Sequence, residues 1–188
     1  DIYPSEPGLL QSLFPFLTKL PRSLLPGRLK FIKDFSDTSK PVGAAFNNPS
    51  LISQDGMEAN TKQWRNAEIP AANGHGTARS IAKLYGILAN GGSRDGIHVL
   101  KPETIEMSRL PQSEGKDLVL GGMNTKFGLG FMLGNENISM GPNNKSFGHG
   151  GAGGSLVFCD PDNHVSLGFV MNQMHPGITA WKLSLIHI

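Results

Sequence analysis

The chain has 188 residues, about one domain's length and enough to bury a sizeable core. Its 17 basic and 15 acidic residues leave a net charge of +2 with no clustered Lys/Arg run, which argues against nucleic acid or a membrane surface as partners. The single cysteine, Cys159, excludes an internal disulfide, and nothing reaches the ~18 uninterrupted apolar residues of a transmembrane helix.

With 24 glycines and 13 prolines, the composition favours a loop-rich, mixed fold over a helical bundle. The opening Asp1-Ile2-Tyr3-Pro4 is neither a methionine start nor a signal peptide. The closing Trp181–Ile188 stops in mid-pattern, so the sequence reads as part of a longer protein. Two Asn-x-Ser sequons, at Asn137 and Asn144, are compatible with secretion. Such triplets arise by chance about once in a chain this long, so the compartment stays open.

Residues 1–50 are punctuated by proline. Leu9–Leu17 is apolar, but Pro15, Pro21 and Pro26 break this part of the chain into short helical turns joined by bends. Asn47-Asn48-Pro49 reads as a turn. Ser50–Ala72, carrying Trp64, reads as an ordered loop with a helical turn near Asp55–Asn60.

The clearest helix is Thr77–Asn90. Ala78, Ile81, Ala82, Tyr85, Leu88 and Ala89 fall at i, i+3, i+4, i+7 spacing on one face. Gly91-Gly92 supplies its left-handed stop. A second helix starts with Pro102 in its first turn and ends before Pro111. Beyond it the period changes to two. Phe127–Leu133 alternates and predicts one strand; Phe147–Gly150, Gly154–Cys159 and Val165–Met171 predict three more. Asp160-Pro161-Asp162-Asn163 is a turn, and the last strands form an antiparallel meander. Cys159 fits a small buried hydrophobe.

Ser-x-x-Lys occurs at Ser80–Lys83 and at Ser113–Lys116, the spacing that brings a lysine amine to a serine hydroxyl. Ser80 and Lys83 fall on the polar face of the first helix, and Ser113–Lys116 reads as an exposed loop, so neither is expected to be a nucleophile. The six histidines show no metal-ligand spacing. Gly150–Gly154 leads into a strand without the Gly-Lys-Ser/Thr ending of a phosphate loop. Neither a metal nor any other cofactor is therefore expected.

What remains is Phe147-Gly148-His149-Gly150-Gly151-Ala152-Gly153-Gly154, with a histidine expected to be buried beside dense glycine. It reads either as a tight hairpin with a satisfied histidine or as a strand edge offering a backbone N–H near Gly151 and Ala152 to a reacting carbonyl.

These residues, with Phe158-Cys159-Asp160-Pro161-Asp162, the Ala78–Gly92 helix and Gly128-Leu129-Gly130-Phe131, resemble the C-terminal part of the serine β-lactamase/penicillin-binding-protein-like family. The resemblance covers about residues 73–175 and is closest to class C β-lactamases, related esterases and animal β-lactamase-like proteins. It implies an α+β fold, an antiparallel sheet flanked by helices, incomplete at its N-terminal side. Residues 1–72 would be a loop-rich helical segment, 73–110 the helices and 126–175 the antiparallel strands of one domain portion.

By the same resemblance, His149, Gly150 and Gly151 take the places of the family's third motif on an edge strand lining the cleft. Gly150 and Gly151 would bind substrate along the strand. The Ala152 N–H would be one of two oxyanion donors, and His149 would bond a substrate carboxylate or leaving group, or move a proton. The family's acyl-serine forms on a Ser-x-x-Lys assisted by Tyr-x-Asn. Both motifs lie upstream of the Thr77–Asn90 helix there, and Tyr3 and Tyr85 are followed two positions on by Ser5 and Ile87. The chain is thus expected to be an inactive portion of a hydrolase acting on a small-molecule or peptide substrate. The alternative is a non-catalytic scaffold or binding protein of the same fold.

Overall fold

The computed structural model describes residues 57–174 without a break, together with 16, 19–25, 30, 33–35 and 37–47. In the N-terminal segments a 3-10 turn spans Arg22–Leu24 and helix α1 spans Pro41–Asn47. The Leu9–Leu17 run apart from Phe16, and the turn at Asn48-Pro49, lie outside the described residues. A 3-10 turn at Met57–Asn60 leads into α2 (Lys62–Asn66), a short helix where the sequence suggested a loop. Thr61 caps it by accepting the Trp64 N–H at 3.1 Å, and Trp64 is buried.

Helix α3 (Ala78–Ala89) forms where the period placed it. Thr77 Oγ1 accepts from the Ser80 N–H while Ser80 Oγ accepts from the Thr77 N–H, a reciprocal capping box. At the other end the Gly91 N–H donates to Leu88 O and the Gly92 N–H to Ile87 O, with Gly91 at φ 73°. This is the paired 5→2 and 6→1 closure that a left-handed residue allows. Strands β1 (Ser93–Arg94) and β2 (Ile97–His98) form a small hairpin before α4 (Pro102–Ser108).

Six strands come next in one antiparallel meander: β3 (Ser113–Asp117), β4 (Met123–Phe127), β5 (Met132–Leu133), β6 (Phe147–Gly150), β7 (Leu156–Asp160) and β8 (Val165–Phe169). Two expectations are corrected. Ser113–Lys116 is no loop but most of β3, exposed along the sheet's outer edge and paired to β4. Phe127–Leu133 is no single strand, because the chain reverses within it and pairs Phe127 with Met132. Gly130 turns at φ 81°, and a Cβ on Gly128 would collide with the Ser108 carbonyl. Alternation of large residues is the same in a strand and in a tight hairpin, so the period could not separate them.

Helix α3 packs across β7 and β8. The core joins Tyr85, Leu88 and Ala89 of α3 to Ile105 of α4 and to Leu133, Phe147, Val157 and Cys159 of the sheet. The Phe131 ring meets Phe147 edge-on at 4.8 Å and Tyr85 at 6.1 Å. Phe147 has no exposed surface, and burying a side chain of this kind contributes about 1.5–3 kcal/mol. Its place at the start of β6 is what aims the rest of that strand.

Candidate active site

Strand β6 carries the residues singled out by the sequence. It is not an edge strand, lying between β5 and β7. However, β5 is only two residues long and covers only Phe147 and Gly148. On the other side β7 continues past it, pairing His149 with Val157 and Gly150 with Leu156. Among the described residues the second half of β6 therefore has a partner on one side only, and the expected edge is confined to His149 and Gly150.

His149 is exposed, not buried as its apolar approach suggested. Its Nδ1 lies 2.6 Å from the Gly150 carbonyl oxygen, and its ring centroid is 5.9 Å from that of Phe127. After Gly150 the chain does not run straight into the next strand. Ala152–Gly154 curl into a 3-10 turn, and β7 starts only at Leu156. Within this turn the Gly151 N–H donates to Ser155 O at 2.8 Å and the Gly154 N–H to Gly151 O at 3.1 Å. The Gly151 N–H is thus already used. No backbone acceptor among the described residues is paired with the N–H of Ala152, which is exposed.

The glycines have reasons in the backbone itself. A Cβ on Gly148 would strike the Val157 carbonyl and lie 2.7 Å from Phe158 Cα. Gly153 turns at φ 84°, where a side chain is strained. Gly148 and Gly153 are needed to bring β6 and β7 together and to turn between them.

Ser80 and Lys83 stand where the sequence put them, exposed on α3, and Ser80 Oγ is occupied in the capping box. Ser113 and Lys116 lie on β3, separated from β6 by β4 and β5. Among the described residues, no group of three or more His, Cys, Asp or Glu side chains is arranged to hold a metal, and no helix is long and apolar enough to cross a membrane. Behind β6, burial pushes the Cys159 thiol up to about 12, against a lowering by Arg109. Burial, with the neighbouring Cys159, likewise lifts Tyr85 to about 12. Both are neutral, inert core groups near neutral pH.

A family model described as Beta-lactamase matches residues 33–183. The chain belongs to the beta-lactamase family. Within 108 aligned residues this beta-lactamase-family chain is 40% identical to "Esterase/beta-lactamase LipL" of Mycobacterium tuberculosis, covering 57% of the chain and 24% of that protein. Among solved structures it superposes on a family VIII carboxylesterase with a TM-score of 0.69 and 36% identity, covering 77% of this chain and 38% of that one. A penicillin-binding protein homologue from Caulobacter crescentus gives 0.63 and 39%, covering 73% and 35%. The chain therefore spans about a quarter to two fifths of the length of these relatives.

Two site features escaped the sequence. The aromatic neighbour of His149 is Phe127, far away in the chain and read as an ordinary strand residue. The other is Asp160, a fully buried carboxylate one residue past the Phe147–Cys159 pair that ends the β6–β7 ladder, paired with Val165 of β8. Only its turn chemistry was visible.

Proposed function

We propose that residues 1–188 form the C-terminal portion of a beta-lactamase-like serine hydrolase domain, supplying one wall of the cleft but not the nucleophile. The reaction of the longer protein would be hydrolysis of an ester, amide or lactam. The serine Oγ attacks the carbonyl carbon, the oxyanion takes the Ala152 N–H, and the leaving group departs with a proton. Water then cleaves the acyl-serine to release the acid. His149 is assigned to the proton movement, and Gly150 and Gly151 to the backbone along which the acyl group lies.

The observation that carries this reading is the pairing of an exposed His149, on the half of β6 that β5 leaves uncovered, with an exposed Ala152 whose N–H no described backbone acceptor takes. The nucleophile is assigned to residues outside this chain because Ser80 is a capping residue and Ser113 is separated from β6 by two intervening strands. Two arms test it. The 188-residue chain should neither be acylated by a fluorescent penicillin nor turn over a p-nitrophenyl ester. A longer protein carrying Ser-x-x-Lys and Tyr-x-Asn should hydrolyse the ester, and His149→Ala there should lower turnover by about 10²–10⁴, the usual contribution of an acid–base group. An unchanged rate would make His149 structural. A longer protein that lacks those motifs and binds without turnover would establish the scaffold instead.

A further inference from the structure

We propose that Phe127 and the Gly150 carbonyl together hold neutral His149 in the tautomer protonated at Nδ1, so that Nε2 is presented as a bare proton acceptor. This rests on the assignment of His149 to the cleft and narrows what it does there. A carbonyl oxygen can only accept, so an Nδ1 at 2.6 Å from Gly150 O must carry the hydrogen. A neutral imidazole has one N–H, and which nitrogen bears it is set by the bond the other atom leaves it. Nε2 is then a lone pair on an exposed residue. In this form His149 cannot donate to a substrate carboxylate. It can take a proton from a hydroxyl or accept a hydrogen bond from one. For the neutral ring, proton acceptance toward a nucleophile or an incoming water fits, and anchoring an anionic tail would require the imidazolium instead.

Phe127 is the positioning residue. Its ring lies 5.9 Å from the imidazole at 42°, limiting how far the imidazole can turn away from Gly150. Phe127 is itself held on several sides. Its carbonyl accepts the Gln112 N–H at 2.8 Å, and Met132 is its register partner. The Gly128 N–H donates to Phe131 O at 2.9 Å, and the Leu129 N–H donates to Ser108 O at 2.8 Å, docking the hairpin on the end of α4. The hairpin that the sequence concealed is thus the support for the histidine's orientation.

The test is long-range proton–nitrogen NMR on the 15N-labelled 188-residue chain, with His149→Gln identifying the His149 signals. The expected result is a pyrrole-like Nδ1 and a pyridine-like Nε2. Phe127→Ala should shift the tautomer ratio toward Nε2–H by about two- to tenfold, the worth of one aromatic contact, and Phe127→Tyr should restore it. Should the alanine variant not fold, Phe127→Leu keeps apolar bulk without the ring and should shift the ratio in the same direction. An Nε2–H tautomer in the unsubstituted chain overturns the proposal outright, and an unchanged ratio in a folded Phe127 variant removes Phe127 from it. Because the readout needs no turnover, a longer protein without hydrolase activity would defeat the functional reading and leave this one standing.

Discussion

The Asn143 side-chain amide donates to Asp160 Oδ2 at 2.7 Å, joining the loop that enters β6 to the end of β7. Asn163 Nδ2 donates to the same oxygen at 2.6 Å, and the backbone N–H groups of Asp162 and Asn163 donate to Oδ1. Asn143 Oδ1 meanwhile accepts the Lys145 N–H at 2.9 Å. One carboxylate therefore fixes both the approach to β6 and the turn from β7 to β8. The next rung of the ladder is Phe147 opposite Cys159, and two rungs further on His149 stands opposite Val157. A slip of one residue would turn every side chain of β6 to the opposite face, so this clip helps decide where His149 points.

Replacing Asp160 by Asn should therefore be costly although the shape is kept. In either amide orientation an NH2 group faces two donors, Asn143 and Asn163 on one side or the two backbone N–H groups on the other. At this fully buried position the new NH2 is left without an acceptor, which costs about 1–3 kcal/mol, read as a lower urea midpoint at neutral pH. The acid limb provides a second check. Burial, the largest single effect, pushes the carboxyl up, but its four hydrogen bonds together hold it below its usual 3.8. With the folded value depressed, its stabilisation is present above 3.8 and lost as pH falls through the folded value. Asp160→Asn should lack that part of the acid dependence; equal acid slopes in both proteins would contradict it.

Cys159 predicts the opposite limb. Its folded value is raised from 9.0 to about 12, chiefly by burial, so the folded state holds the thiol proton more tightly than the unfolded chain. That contribution is complete below 9.0 and disappears as pH rises through about 12. Stability should fall across this alkaline window, and less steeply in Cys159→Ala, while Tyr85, raised from 10.0 to about 12, maintains part of the slope in both. Urea midpoints measured across the window check it, and identical slopes would show that the thiol is not buried in solution.

How much was legible depends on the distance over which each signal acts. Helix α3 was readable because its cap at Thr77, its apolar stripe and its stop at Gly91 all lie within the helix or beside it. Strand β6 was readable for the same reason, since its apolar start at Phe147 and the glycines that end it are adjacent in the chain. The β4–β5 hairpin was hidden because the need for glycine at 128 comes from the Ser108 carbonyl, a contact only folding creates. The exposure of His149 was hidden because it depends on where β5 stops. Asp160 illustrates the limit inside a recognised motif. Asp-Pro-Asp-Asn announces a turn, yet the partner that makes the carboxylate a clip is Asn143, on the other side of β6.

The two glycines Gly148 and Gly74 separate a packing requirement from mere presence of the residue. At Gly148 an added Cβ would strike the Val157 carbonyl and come within 2.7 Å of Phe158 Cα and 2.8 Å of Phe158 Cβ. Most of these are backbone atoms of a buried strand, which cannot give way without parting β6 from β7. Gly148→Ala should therefore cost about 1–3 kcal/mol or more by overpacking. It should also disturb the His149 amide resonance, one residue away. At Gly74 nothing lies within 4 Å of the added carbon, and the backbone is not left-handed. Gly74→Ala should be neutral or stabilising by about 0.4–1 kcal/mol, through reduced freedom of the unfolded chain. Chemical denaturation of the two variants side by side checks the contrast, and a Gly148→Ala protein as stable as Gly74→Ala would mean that β6 and β7 do not approach as closely as their register requires.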